Sequence, residues 1–219
     1  QQHGFARNLE WSVGDISDES TSITLKLEDS AETRKMWDHA FELAYTVSLS
    51  ADGLETKFTV KNTGEEPFSF TGALHSYYSA TDVSKAEVIG PFYKAQFLDK
   101  TLDPPAMVED NNEEPLTVTS FIERVYPGIG VNKGMILSDS VNGKALQIRN
   151  EEGYEDTVIW NPYGDEAMGA NSFICVESGN VMNAVKVGPG KTWVGKLCLS
   201  EIPTKLSERF TRVLNMVSV

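Results

Sequence analysis

The chain contains 219 residues, of which 40% are hydrophobic and 10% are aromatic. This is enough apolar material to bury a core without disulfides or structural metals, and we predict a single domain over residues 1–219. The 32 acidic and 19 basic residues give a formal charge of -13, which argues against nucleic acid or an anionic membrane surface as the main partner. A small anionic substrate is compatible with this charge, because a few arginines set the potential inside a binding site.

The two cysteines, Cys175 and Cys198, have apolar neighbours and no spacing typical of a redox or zinc motif. They are predicted to be reduced core thiols in an intracellular protein, with a disulfide between them as the less favoured alternative. No apolar run reaches the length of a membrane span. We therefore expect a cytoplasmic location. A plastid is the alternative, because the sequence begins with Gln1 and a targeting peptide could have preceded it.

Alternation of apolar and polar residues with period two dominates the chain and predicts β-strands. Turn residues such as Ala51-Asp52-Gly53 separate most of the strands. Many short strands with few helical stretches favour antiparallel meanders in two packed sheets over βαβ units. The predicted fold class is therefore all-β, an antiparallel sandwich with minor helix. The predicted strands cover residues 23–27, 41–49, 54–60, 68–74, 118–125, 145–150, 157–160, 173–177, 184–187 and 193–199.

Three segments depart from the strand pattern. Residues 29–37 are predicted to form a short connecting helix that Asp29 caps. Residues 102–115 are rich in Pro, Asp, Glu and Asn, and they are predicted to form a long surface loop, with a lid over a sugar site as the alternative. The C-terminal tail, residues 204–219, repeats apolar residues at helical spacing and is predicted to be a helix that packs on the sandwich.

Two residues at strand ends are candidates for acid–base chemistry. His75 ends a strand-like run, where a histidine can donate or accept a proton near neutral pH. Glu177 follows the apolar residues 173–176, so burial would raise its pKa and make it a useful general base. The alternatives are a hydrogen-bonded core histidine and a glutamate that faces water.

Other residues are candidates for substrate binding. Trp160 offers an aromatic face to sugar CH groups or fills core, and Asp156 and Asn161 offer groups that read hydroxyls. Arg7 and Arg124 carry planar forks that suit phosphate, with ordinary ion pairs as the alternative. The sequence has no zinc-ligand spacing, nucleotide fingerprint or serine-nucleophile motif. We therefore predict acid–base chemistry without a metal or another cofactor.

Five motifs follow one another along the chain. They are Gln2-His3-Gly4-Phe5-Ala6-Arg7-Asn8 with Trp11, Pro67-Phe68-Ser69-Phe70 leading into Leu74-His75-Ser76-Tyr77-Tyr78, Glu123-Arg124-Val125-Tyr126, Asp156-Thr157-Val158-Ile159-Trp160-Asn161-Pro162, and Cys175-Val176-Glu177. In this order they resemble the glucose-6-phosphate 1-epimerase family. This family includes the plant proteins called apospory-associated protein C and lies within the galactose-mutarotase-like superfamily.

The resemblance implies a galactose-mutarotase-like supersandwich that interconverts the α and β anomers of hexose 6-phosphates. It also implies a small sugar phosphate as the partner and a monomeric enzyme. His75 would be the general acid that protonates the ring oxygen, and Glu177 the general base that deprotonates the anomeric hydroxyl. His3 would orient the sugar, Arg7 would bind its phosphate, and Glu123 lies in a motif expected to contact sugar hydroxyls.

The chain departs from the family pattern in two ways. The family carries a further N-terminal region with an arginine that helps to bind phosphate, and we expect these strands to be missing here. Glu123 stands where the family usually has Asp, and the longer side chain moves the carboxylate by about one C–C bond. Two alternatives therefore stay open. One is a non-catalytic carbohydrate-binding or regulatory protein on the same scaffold, and the other is an epimerase of unphosphorylated aldoses.

Overall fold

The computed structural model describes residues 3–19 and 21–203, which form two antiparallel β-sheets. The predicted all-β fold class is confirmed. The strands are β1 (Ser12–Ile16), β2 (Ser22–Glu28), β3 (Phe41–Ser50), β4 (Gly53–Asn62), β5 (Phe68–Leu74), β6 (Tyr77–Ser79), β7 (Ala86–Ile89), β8 (Gln96–Asp99), β9 (Ala106–Glu109), β10 (Leu116–Thr117), β11 (Ile122–Pro127), β12 (Gly134–Asp139), β13 (Lys144–Glu152), β14 (Asp156–Asn161), β15 (Phe173–Val187) and β16 (Thr192–Pro203).

The strand order shows how the chain builds the two sheets. The first sheet has nine strands in the order β1-β2-β3-β4-β16-β13-β12-β7-β10. The second has seven, in the order β5-β15-β14-β11-β8-β9, and β6 also pairs with β15. The middle of the second sheet, at β15, β14 and β11, therefore comes from the second half of the chain, and strands from the first half (β5, β8 and β9) flank it.

The main hydrophobic core lies between the sheets. It takes buried residues from β7, β12, β13 and β16 of the first sheet and from β11, β14 and β15 of the second. The side of the second sheet that packs into this core is referred to below as the core face. Burial of apolar surface from both sheets is the main source of stability in a sandwich of this kind.

A second cluster holds the N-terminal segment against the sandwich. The Phe5 ring lies 5.9 Å from Phe41 and 6.3 Å from Trp37, measured between ring centroids. The Trp11 indole N–H donates a hydrogen bond of 3.0 Å to the carbonyl of Ala6. These contacts fix the backbone on both sides of residues 6–8, which form a single 3₁₀ turn.

The helix and the acidic loop differ in detail from the prediction. The α-helix α1 covers Ala31–Met36, and Ser30 caps it by accepting a hydrogen bond from the Thr33 N–H at 3.2 Å. Asp29 was expected to be the cap, but its carboxylate accepts instead from the Phe41 N–H (3.1 Å) and pairs with Arg34 (2.7 Å). Capping therefore falls to the next residue.

Residues 102–115 are not a loop throughout, because β9 lies within them and pairs with β8 at the edge of the second sheet. The helix predicted for residues 204–219 lies outside the described residues. Within residues 3–19 and 21–203, no helix combines the length and apolar character needed to cross a membrane.

Candidate active site

One row of side chains crosses the second sheet on the side opposite the core. Tyr77 in β6, Cys175 in β15, Trp160 in β14 and Glu123 in β11 are directly opposite one another in the strand register. Successive side chains of a strand alternate between faces, so Glu177, two residues after Cys175, lies on the same side. These five residues define what we refer to as the site face.

His75 and Glu177 meet on the site face. The Ser76 N–H donates to the Leu74 carbonyl at 2.8 Å, which closes a three-residue turn around His75 directly after β5. This turn takes His75 out of the strand ladder and brings its Nδ1 to 3.3 Å from Glu177 Oε1. The His75 side chain is 33% exposed and that of Glu177 is 8% exposed, so substrate can reach the imidazole while the carboxylate stays buried.

Aromatic rings hold the imidazole of His75. The ring stacks on Tyr77 with a centroid distance of 5.0 Å, and Trp160 meets it edge-on at 5.7 Å. Phe173 in turn packs against Tyr77 at 4.9 Å and against Trp160 at 6.0 Å. The result is an aromatic wall beside His75 and Glu177, of the kind that packs against the CH groups of a sugar ring.

The N-terminal segment contributes two of the predicted residues. The backbone has positive φ at His3 (59°) and Gly4 (69°), and the resulting turn brings the His3 ring edge-on to His75 at 5.5 Å. Burial lowers the pKa of His75 and raises that of Tyr77, and the charge of Arg7 adds to the first shift and opposes the second. The structure therefore brings His3 and Arg7 to the same group as His75 and Glu177.

The pKa shifts show that neither member of the pair is firmly charged. Burial raises the pKa of Glu177 to about 7, the neighbouring Glu123 carboxylate adds to this rise, and Lys100 opposes it. Burial also lowers the pKa of His75, as do the charges of His3 and Arg7. Both shifts favour the uncharged form, so the 3.3 Å contact is a proton-sharing pair and not a fixed ion pair.

An ion pair between Lys100 and Glu123 lies at the far end of the row. The Lys100 side chain contacts the Glu123 carboxylate, and the Lys100 backbone N–H donates to the Glu123 carbonyl at 2.9 Å. Sequence reasoning missed Lys100, because only the pairing of β8 with β11 brings it next to Glu123. The pair sets the charge close to Glu177 through two opposite effects on its pKa.

Arg124 is not part of this group, contrary to the prediction that it binds substrate. It follows Glu123 directly in β11 and therefore points to the core face. There its guanidinium contacts Asp110 at 3.4 Å and the Tyr126 hydroxyl at 3.1 Å, and it lies 4.5 Å from the centre of the Phe97 ring. Its ion pair is structural, which was the alternative interpretation.

The side chains of Asp156 and Asn161 form hydrogen bonds with backbone groups. Asp156 is buried, and its carboxylate accepts from the N–H groups of Val181 (2.8 Å) and Met182 (2.9 Å), at the irregularity that joins two predicted strands into β15. Asn161 is also buried, and its amide N–H groups donate to the carbonyls of Ala170, just before β15, and Phe173, its first residue. Its Oδ1 atom is buried without a hydrogen-bond partner among the described residues. Both residues therefore support the backbone of β15, and their contacts with sugar hydroxyls stay a prediction.

Both cysteines were predicted to be reduced core thiols. Both are free, but only Cys175 is buried, and Cys198 is partly exposed. Cys175 also lies next to His75 and Glu177. The Cys175 sulfur, a His75 ring nitrogen and a Glu177 carboxylate oxygen all lie within 4.8 Å of one another. The spacing of Cys175 and Glu177 in one strand places both on one face, and this signal was available in the sequence.

Comparison with known proteins identifies relatives along most of the chain. Residues 1–200 match the family model described as aldose 1-epimerase. A Cenchrus ciliaris protein named "Putative glucose-6-phosphate 1-epimerase" is 28% identical over 222 residues, which cover 93% of this chain and 66% of that protein. An Escherichia coli K12 protein of the same name is 28% identical over 195 residues, or 84% and 62% of the two chains. The chain spans less than two thirds of the length of these relatives.

Solved structures agree in fold. The galactose mutarotase related enzyme from Lactobacillus acidophilus matches 93% of this chain and 74% of its own, with a TM-score of 0.77 at 19% identity. A galactose mutarotase-like protein from Lactobacillus casei covers 92% of this chain and 76% of its own, with a TM-score of 0.78 at 18% identity. The predicted galactose-mutarotase-like supersandwich is confirmed.

Proposed function

The chain belongs to the aldose 1-epimerase family, and from this premise we propose that it interconverts the α and β anomers of hexose 6-phosphates, with His75 as general acid and Glu177 as general base. The observation that carries the proposal is the 3.3 Å contact between His75 Nδ1 and Glu177 Oε1 beside an aromatic wall. Ring opening and closure require only proton transfers, so these two side chains suffice without a cofactor.

The proposed reaction proceeds through the open-chain aldehyde. Glu177 accepts the proton of the anomeric hydroxyl while His75 gives a proton to the ring oxygen, and the bond between C1 and the ring oxygen breaks. Rotation about the C1–C2 bond then presents the opposite face of the C1 carbonyl. For closure, His75 takes the proton back from the C5 hydroxyl and Glu177 returns one to the C1 oxygen, which yields the other anomer.

The proton content of the pair supports these roles. In the active form His75 is an imidazolium and Glu177 is a carboxylate. The pair therefore holds one proton more than a neutral imidazole and a carboxylate. The pKa of Glu177 is about 7 and that of His75 lies below its usual 6.5, so the pair holds one proton between these values. This proton reaches His75 from Glu177 across their 3.3 Å contact, which gives the active form.

Several features support a phosphorylated sugar as the substrate. Arg7 is exposed, and its charge reaches both His75 and Tyr77. The names of the plant and bacterial relatives point to the same class of substrate. An arginine suits a phosphate because it forms charge-assisted, bidentate hydrogen bonds. A monomeric state and a cytoplasmic location, with a plastid as the alternative, belong to the same proposal.

Anomer exchange measured by NMR magnetisation transfer tests the proposal. We expect the intact chain to accelerate the exchange of glucose 6-phosphate over buffer, in the presence of EDTA, and unphosphorylated glucose to respond more weakly. His75→Asn and Glu177→Gln should each lower the catalysed rate by about a hundredfold or more, because each removes one proton-transfer group.

Two matched variants control for general damage. His39→Asn replaces a histidine that packs against Trp37 and Phe68, and Glu55→Gln replaces a strand glutamate paired with Lys196. Both should retain the activity of the intact chain. A folded chain that binds the sugar without exchange would instead indicate a non-catalytic binding protein. Equal exchange of both sugars would indicate an epimerase of unphosphorylated aldoses.

A further inference from the structure

The site face carries a second chemical possibility, because three different kinds of metal ligand meet there. A nitrogen of His75, the sulfur of Cys175 and an oxygen of Glu177 all lie within 4.8 Å of one another. The distance between His75 Nδ1 and Glu177 Oε1 is 3.3 Å. In a tetrahedral zinc site with bonds of about 2.0–2.3 Å, donor atoms lie about 3.3–3.6 Å apart. The distance between His75 and Glu177 already falls in this range, and the sulfur of Cys175 lies within 4.8 Å of both groups.

The elements that carry the ligands favour such a site. Cys175 and Glu177 are alternate residues of β15, held in register by β14 on one side and by β5 and β6 on the other. His75 follows β5 on a tight turn, and Tyr77 and Trp160 limit its ring orientation. His75 is the more exposed member of its pair with Glu177, so its side chain has more room to adjust to a bound ion.

From this geometry we propose that His75, Cys175 and Glu177 bind a thiophilic divalent cation such as Zn²⁺. Binding would replace the S–H bond of Cys175 by a sulfur–metal bond and release the proton to solvent. Thiolate, imidazole and carboxylate are all established zinc ligands, and three of them leave a fourth position for water.

A second cluster in the described part of the chain makes a useful contrast. Glu55, Glu151 and Cys198 also group closely on the first sheet. There the Lys196 ammonium lies 2.8 Å from Glu55 and 3.2 Å from Glu151, and Arg149 also pairs with Glu151 at 2.7 Å. A metal at that place would have to displace two protein cations from the carboxylates, so the site face is the preferred position.

The consequence for activity rests on the proposed function. A cation held by His75 and Glu177 takes both lone pairs needed for proton transfer, so it blocks epimerisation. Zn²⁺ is therefore expected to act as a reversible inhibitor and not as a cofactor of this chain. Binding itself can be measured without any sugar, and that separates the two proposals.

Titration of the full chain with Co²⁺ alone tests the site directly. Coordination by a thiolate gives cobalt a charge-transfer absorption band in the near ultraviolet, and we expect one equivalent to produce it and Zn²⁺ to remove it. The chain has only two cysteines. Cys175→Ala should therefore abolish the band, and the matched variant Cys198→Ala should retain it.

Two further variants keep the test valid should the buried alanine at position 175 disturb folding. Glu177→Gln and His75→Asn leave the thiol in place, and each should weaken Co²⁺ binding by about tenfold or more. A band that survives in Cys175→Ala or is lost in Cys198→Ala would overturn the proposal, as would its absence from the unmodified chain. Metal binding without any epimerase activity would leave the site standing and refute the proposed function.

Discussion

Each face of the second sheet has a carboxylate buried to about the same extent, but the two carboxylates have different partners. On the core face Asp110 is 7% exposed, and it accepts from the Tyr126 hydroxyl at 2.7 Å and lies 3.4 Å from Arg124. On the site face Glu177 is 8% exposed and faces His75, whose pKa is itself lowered. Burial is therefore equal, but only Asp110 has a permanent cation as its partner.

The partner of a buried carboxylate decides whether it stabilises the fold or can act as a base. A buried carboxylate held by strong donors contributes to the fold, because removal of one member leaves the others unpaired. A buried carboxylate without such donors is destabilised in its charged form, and the same desolvation makes it a base that works near neutral pH. The sheet places these two environments on opposite sides of one layer of backbone.

The largest effect on stability is expected on the core face. Asp110→Ala leaves the buried Tyr126 hydroxyl without its acceptor and Arg124 without its counterion. The free energy of unfolding should fall by about 2–4 kcal/mol, measured by urea denaturation. The neighbouring exposed variant Glu109→Ala should change it by less than about 0.5 kcal/mol. Equal losses in the two variants would show that Asp110 has no special role.

On the site face, removal of a buried carboxylate is expected to increase the free energy of unfolding. The pKa of Glu177 is raised from 4.5 to about 7 in the folded state, so the stability that the neutral form provides is lost as the pH rises through this interval. Glutamine is neutral at every pH. Glu177→Gln should therefore raise the free energy of unfolding by about 1–3 kcal/mol at pH 8 and leave it almost unchanged at pH 4.5, although activity is lost. A destabilised variant at pH 8 would contradict this account of Glu177.

The two arginines provide a comparison of function. Arg7→Met should lower kcat/KM for glucose 6-phosphate by about ten- to a hundredfold, because it removes charge-assisted hydrogen bonds to the phosphate. The rate with unphosphorylated glucose should change little. Arg124→Met, on the core face, should reduce stability and keep the ratio of the two rates. If Arg124→Met alone altered that ratio, the assignment of the faces would be wrong.

The sequence predicted the sandwich from strand periodicity, and recognisable motifs selected His75, Glu177, His3 and Arg7, which the structure brings together. Arg124 lies apart from this group, and the alternation of side chains along β11 could have indicated this, since adjacent residues of a strand face opposite sides. Periodicity does not distinguish a buried carboxylate that binds substrate from one that holds backbone. For Asp156 and Asn161, only the structure reveals the backbone groups that they bind, and substrate contacts of these residues stay a prediction.

Lys100 shows a different limit of sequence reasoning. It becomes a neighbour of Glu123 only through the register of β8 and β11, and β9 and β10 lie between these two strands in the sequence. Contacts of this kind depend on long-range strand pairing, and a single sequence does not specify that pairing. The effect of Lys100 on Glu177 could therefore not be predicted, and it leads to the finest test of the site.

That test is the pH dependence of kcat/KM in Lys100→Met and Glu123→Gln. At alkaline pH the activity falls when the pair of His75 and Glu177 loses its one shared proton. This proton leaves mainly from Glu177, whose pKa is about 7. Lys100 lowers this pKa and Glu123 raises it, so the alkaline limb should move up in Lys100→Met and down in Glu123→Gln, each by less than about one pH unit. The position of the limb is informative even where substrate contacts change the maximum rate. Opposite shifts would link the charge pair to the base, whereas a lower rate without any shift of the limb would mean that the two residues act only by binding substrate.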